Sequence, residues 1–156
     1  MKTFLLLLSV IIWHSPVAQD YIGDSKKVVK RKMERYMESN HYKQYQFAET
    51  DTSIVYHLRE EKVQHVDFRY RIDPKGVCFA TITSSPCFEC VDKTLRSVLE
   101  QKRYGWKQLS NSTWISDYKH SLQLTITRDE AGSTALEIRK MLWSKRLHAE
   151  LLPPEK

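Results

Sequence analysis

The chain has little glycine and little cysteine, four and three residues out of 156. Four glycines leave scant material for a loop that hugs a phosphate or a cofactor. The sequence holds no nucleophile elbow, HExxH pair, phosphate-binding glycine loop or EF-hand loop. His41, His57, His65, His120 and His148 are scattered, and each lacks a second ligand close by in sequence. No cofactor and no metal is therefore expected. Three cysteines are too few for a disulfide-dense scaffold, so the fold must rest on an apolar core. No apolar run approaches the roughly 20 residues of a membrane-spanning helix.

The longest apolar stretch is Phe4 to Trp13, preceded by Lys2 and followed by the small residue Ala18. That order is a secretory signal, with cleavage expected after Ala18. Residues 19–156 are then one exported domain, secreted or periplasmic. The net charge is +6. Lys26, Lys27, Lys30, Arg31, Lys32 and Arg35 hold much of it and read as the solvated face of a helix. Nucleic acid is a poor partner for an exported protein, and none is expected.

Asp24 or Ser25 caps a first helix running to about Glu38, with Val29, Met33, Tyr36 and Met37 on its apolar face. Asn40 supplies a left-handed stop. Four strand signals follow: Tyr42 to Ala48, Ser53 to Arg59, His65 to Ile72 and Val77 to Thr83. Glu60-Glu61-Lys62 is a polar turn. Val66, Phe68, Tyr70 and Ile72 alternate with His65, Asp67, Arg69 and Arg71, one set to each face. In Asp73-Pro74-Lys75-Gly76 proline presets φ and glycine accepts positive φ.

Ser85 and Pro86 then open a second helix, expected from about Pro86 to Lys102. Its stripe is Phe88, Val91, Leu95, Val98 and Leu99, with Gly105 as a stop. Trp106 to Ser110, Thr113 to Tyr118, Ser121 to Thr127 and Thr134 to Arg139 read as strands. Asp129-Glu130-Ala131-Gly132 matches the earlier Asp-x-x-Gly turn. A last helix is expected from about Lys140 to Leu151, with Pro153-Pro154 stopping it.

The fold class is therefore α+β: a tandem α-β-β-β-β repeat, residues 21–83 and 84–140, forming an antiparallel sheet with its helices on one face. This element order resembles tandem folds such as the beta-lactamase inhibitor protein and, more loosely, the TATA-binding-protein-like and YbjN-like folds. The resemblance covers nearly the whole exported chain but lies in element order alone, so it implies no residue roles.

Cys87 and Cys90 fall in the first turn of the second helix, three residues apart, and a disulfide between them is expected in an oxidising compartment. A C-x-x-C after a strand resembles thioredoxin-like proteins. However, no tryptophan precedes Cys87, and no later proline could serve as their cis-proline. Cys78 is expected to stay reduced, buried with Ala80 and Ile82 where its strand passes the helix near Ser97 or Val98.

An antiparallel sheet covered on one side leaves its other face open. With Val66, Phe68, Tyr70, Ile72, Leu122, Leu124 and Ile126 toward the helices, that face carries Asp67, Arg69 and Arg71 from one half. From the other it carries Gln123, Thr125 and Thr127, and Phe79, Thr81, Glu137 and Arg139 join from the outer strands. The candidate binding residues are thus Asp67, Arg69, Arg71, Phe79, Gln123 and Thr125, suited to a protein, a peptide or an envelope component. Two readings compete with this one: a thiol–disulfide protein using Cys87 and Cys90, and a structural envelope protein. The oligomeric state is not legible.

Overall fold

The computed structural model describes residues 18–59 and 65–152. The apolar run at the N-terminus, the Glu60-Glu61-Lys62 turn and the Pro153-Pro154 stop lie outside them.

The described residues form one eight-stranded antiparallel sheet with three α-helices. In chain order come α1 (Lys26–Ser39), β1 (Tyr45–Glu49), β2 (Ser53–Leu58), β3 (Val66–Ile72) and β4 (Cys78–Ser85). Then follow α2 (Phe88–Leu99), β5 (Lys107–Ser110), β6 (Thr113–Ile115), β7 (Leu122–Arg128), β8 (Thr134–Lys140) and α3 (Lys145–Leu151). The sheet order is β1-β2-β3-β4-β8-β7-β6-β5, so the last strand of each half meets the other at the centre.

α1 forms because Val29, Met33 and Met37 recur every fourth residue, and all three are buried. They pack on Ile54, Tyr56 and Leu58 of β2 and on Val66, Phe68, Tyr70 and Ile72 of β3. Burying each such side chain is worth about 1.5–3 kcal/mol. Tyr21 and Tyr70 each donate a hydrogen bond to Met33 Sδ, at 3.3 and 2.7 Å. The helix stops differently from the expectation: Asn40 has φ −96° and bonds Tyr36 O through Nδ2, and His41 takes the left-handed turn at φ 56°.

α2 lays Val91 and Val98 on Leu122, Leu124, Leu136 and Ile138, with Leu95 and Leu99 at the margin. It spans its apolar pattern but is shorter at both ends than the expected Pro86 to Lys102, since Cys87 is its cap and Glu100 its stop. Phe88, expected in the stripe, occupies the first helical position and is 57% exposed. α3 also starts later than expected, because β8 runs on to Lys140 and Ser144 Oγ caps the helix by accepting from Leu147 N. His148 anchors α3: it is buried, with Nε2 2.8 Å from the Ser116 carbonyl.

The two apolar clusters are separated along the sheet by a polar seam of Thr81, Thr83 and Ser85 from β4 and Thr134 from β8, all buried. The 3-10 turn Ala18–Tyr21 ties the halves together. Tyr21 belongs to the first cluster, while Asp20 pairs with Arg103 and accepts a 3.2 Å hydrogen bond from Tyr104.

One irregularity resets the strand faces. Ile72 pairs with Cys78, but Arg71 pairs with Ala80, so Phe79 is an extra residue in β4. Such a bulge shifts the alternation by one. Cys78 turns toward the helices and Ala80 and Ile82 turn away, opposite Arg71 and Arg69. Strict alternation placed Thr81 on the open face. Instead it pairs with Tyr70 and Ile138 on the helix side and is 2% exposed. Cys78 is buried and free as expected, but in the cluster of α1 rather than beside Val98. Burial pushes its thiol up to about 12, so it behaves as a small apolar group.

Candidate functional site

Register lays out the open face as cross-strand rows, since directly paired residues share a face. One row runs Ser53, Arg71, Ala80, Arg139, Gln123, Ile115 from β2 to β6. The next runs Val55, Arg69, Ile82, Glu137, Thr125, Thr113. A third holds His57, Asp67, Ser84, Ala135 and Thr127. Asp67, Arg69, Arg71, Gln123 and Thr125 thus all lie on one face, with Glu137 and Arg139 between them. Three strand spacings separate β3 from β7, about 14 Å at the usual 4.8 Å each. The arginines and the Gln123–Thr125 pair are therefore two regions of one surface, not one cluster.

Most charges on this face are already matched. Asp67 Oδ1 lies 2.7 Å from Arg59 Nη1 and 3.0 Å from His57 Nδ1. Burial pushes the Asp67 carboxyl up, but hydrogen bonds from Arg59 and His57 outweigh it, and the net shift is downward. Arg139 forks onto Glu137 Oε1 at 2.7 and 3.0 Å. Gln123 Nε2 donates to Thr125 Oγ1 at 3.3 Å. Arg69 and Arg71 differ from these: neither makes an ion pair or a side-chain hydrogen bond with a described residue.

Those two arginines line a groove of about 820 Å³ at the end of the sheet where β3 turns into β4. Val55, Phe79, Pro74 and Leu142 supply apolar wall, and Lys140 and Asp73 lie at its margin. The bulge that buries Thr81 is what brings Phe79 to this groove. Asp73 Oδ1 is occupied by the turn, accepting from Lys75 N and Val77 N at 2.9 Å each. Gly76 completes that turn at φ +79°, a conformation that favours glycine. Lys140 Nζ donates to the His120 carbonyl at 2.5 Å.

Leu142, Val55 and Lys140 were not legible as site residues. Leu142 is 97% exposed just past β8, and only knowledge of where β8 ends would have placed it on the groove. Val55 reads as core from its type. It pairs with Arg69 on the open face, where neighbouring side chains leave it 9% exposed.

The cysteine pair stands apart from this groove, at the start of α2. Cys87 and Cys90 are at disulfide distance, with sulfurs 2.12 Å apart. Cys87 is the extended cap residue, and its Sγ lies 3.2 Å from Cys90 N. Both are half-buried, beside the exposed Phe88 ring.

Among the described residues no group of three or more histidine, cysteine or acidic side chains is placed to hold a metal. No described helix is long and apolar enough to cross a membrane. No family model, curated protein or solved structure matches the chain. The likeness of element order to known tandem folds thus carries no residue roles, and function must be argued from the surface.

Proposed function

We propose that the protein is an exported, non-enzymatic binding domain that takes an anionic, partly apolar segment of a protein, peptide or envelope component on its open sheet face. The observation that carries this reading is the pair Arg69 and Arg71. The neighbouring charges Asp67, Glu137 and Arg139 are paired, and Lys107, the other unpaired cation on the face, lies at the far edge on β5, whereas these two guanidinium groups flank an apolar groove with no partner among the described residues. A guanidinium offers a planar fork suited to a carboxylate, and the groove wall beside it suits an apolar side chain. Gln123 and Thr125 extend the surface along the same rows and would meet a longer ligand.

Export is supported by the apolar N-terminal run, preceded by Lys2 and followed by Ala18. The two α-β-β-β-β halves are read as repeats, each contributing its last strand to the central β4–β8 pairing. The test of function is binding of acidic peptides to the wild type and to Arg69→Ala/Arg71→Ala. The double variant should lose binding while keeping its melting temperature.

One observation favours a second reading. The cysteine pair sits at a helix N-terminus, which stabilises a thiolate, and Phe88 offers an apolar contact beside it. A thiol–disulfide role would have an external dithiol reduce this bond and leave with its own disulfide. The reduction potential discriminates: a value well below the glutathione range marks a structural clip.

A further inference from the structure

The two edges of the sheet are built differently. β5 is four residues long, begins with Lys107 and has an irregular register between Gln108 and Ser110. Charge, shortness and irregularity are the usual devices that stop an edge from pairing. β1 is one residue longer and regular, and its single charge, Glu49 at its end, is neutralised by Lys26 and Lys30. Its five residues, Tyr45–Glu49, pair with β2 in unbroken register, and it contains neither proline nor bulge.

The hydrogen bonds show which groups β1 leaves over. Thr50 N donates to Ser53 O at 2.9 Å, and Arg59 N donates to Gln44 O at 3.2 Å. In an antiparallel ladder alternate residues bond to the same neighbour. Residues 44, 46, 48 and 50 therefore face β2, and the backbone N–H and C=O of Tyr45, Phe47 and Glu49 point off the sheet. Their side chains lie on the helix side, because Tyr45 pairs with Leu58 and Phe47 with Tyr56. Tyr45 is 38% and Phe47 44% exposed.

Beside this edge runs a second groove, about 570 Å³, lined by Lys26, Lys27, Lys30, Arg31, Glu34 and Glu49. Lys30 Nζ sits 5.1 Å above the Phe47 ring. Lys26 and Lys30 are both held by Glu49, at 2.9 and 2.6 Å. Lys27 and Arg31, one turn apart on α1, are exposed and pair with no described residue. The lining is cationic on balance.

We infer that β1 accepts an extended acidic segment of another protein as a ninth strand. In that arrangement every second residue faces α1: an apolar one beside Phe47, and carboxylates to either side within reach of Lys27 and Arg31. Backbone bonds supply affinity, and the alternate side chains supply selectivity. Charge argues against a second copy as occupant. Pairing β1 with its own image would bring the cationic flank of α1 against itself. This surface is separate from the arginine groove, so either proposal can fail alone.

The probe is a capped heptapeptide with valine at its centre, glutamate two residues to either side and threonine elsewhere. Its binding to the full exported chain is followed by backbone amide NMR. The expected result is shifts centred on Tyr45, Phe47 and Glu49. Replacing both glutamates by lysine should weaken binding at least tenfold. Phe47→Pro removes an outward N–H and leaves the bonds to β2, so it should also weaken binding at least tenfold. Lys27→Glu/Arg31→Glu, a purely surface change, should do the same without altering the melting temperature. Absence of peptide binding, shifts centred elsewhere, or equal affinity for the charge-reversed variant would overturn the proposal. A dimer that forms through β1 without peptide, and is lost in Phe47→Pro, would overturn the choice of occupant.

Discussion

Asp67 Oδ1 holds Arg59 Nη1 at 2.7 Å, while Arg69 and Arg71, farther along the same strand and face, hold no described residue. One strand thus presents both a satisfied ion pair and two unsatisfied cations. The first should behave as structure and the second as function.

The Asp67 pair gives a pH prediction. Its carboxyl is lowered in the folded state despite burial, through Arg59 and His57. A lowered carboxyl contributes stability that is present above its unfolded value, near 4, and is lost as pH falls through the folded one. Asp67→Asn should cost up to about 1 kcal/mol near neutrality, the scale of a partly exposed pair. The gap from wild type should close below about pH 4. Urea melts of both proteins across that range check it, and a gap that persists in acid would show that the pair is not ionic in effect.

Tyr70 and Leu124 test the strand faces. They are 3% and 0% exposed, one in each apolar cluster. Tyr70→Asp or Leu124→Asp would bury an unpaired carboxylate and should prevent folding. Leu124→Ala should cost about 2–5 kcal/mol. Circular dichroism melts give the answer, and an unchanged melting temperature in any of these would contradict the burial described.

How much of this was legible depends on where alternation is unbroken. β3 and β7 alternate cleanly, so Asp67, Arg69, Arg71, Gln123 and Thr125 were placed on one face from sequence. β4 carries the bulge at Phe79, and a bulge leaves no mark in composition. Cys78, Ala80 and Ile82 look like one apolar face, yet Cys78 lies on one side of the sheet and Ala80 and Ile82 on the other. Thr81 was misplaced for the same reason. Phe79 reached the open face as expected, but through the irregularity rather than through alternation. The start of α3 was hidden because Lys140 and Met141 suit a helix or a strand equally. Only pairing with β7, through Leu122 and Lys140, decides for the strand.

The cysteine pair should matter little to stability. The loop between Cys87 and Cys90 is so short that chain-entropy arguments allow the link about 2 kcal/mol at most. Cys87→Ser/Cys90→Ser should melt within that margin of wild type, and serine at position 87 keeps a cap for α2. Non-reducing peptide mapping should find the two linked and Cys78 free. A link to Cys78 would contradict its burial in the cluster of α1.

Export predicts a shortened chain. Intact-mass measurement on the protein from its own source should show loss of residues 1–18. A full-length chain beginning at Met1 inside the cell would end that reading.

The most direct test of the open-face reading is peptide selection. A random displayed-peptide library is panned on wild type, on Arg69→Ala/Arg71→Ala and on the charge-reversed α1 variant Lys27→Glu/Arg31→Glu. Binding at the arginine groove predicts a class of selected peptides that join an acidic residue to an apolar one. That class should survive on the α1 variant and vanish on the Arg69→Ala/Arg71→Ala protein, with both variants melting as wild type does. Selection of the same peptides by the arginine-free variant would contradict it.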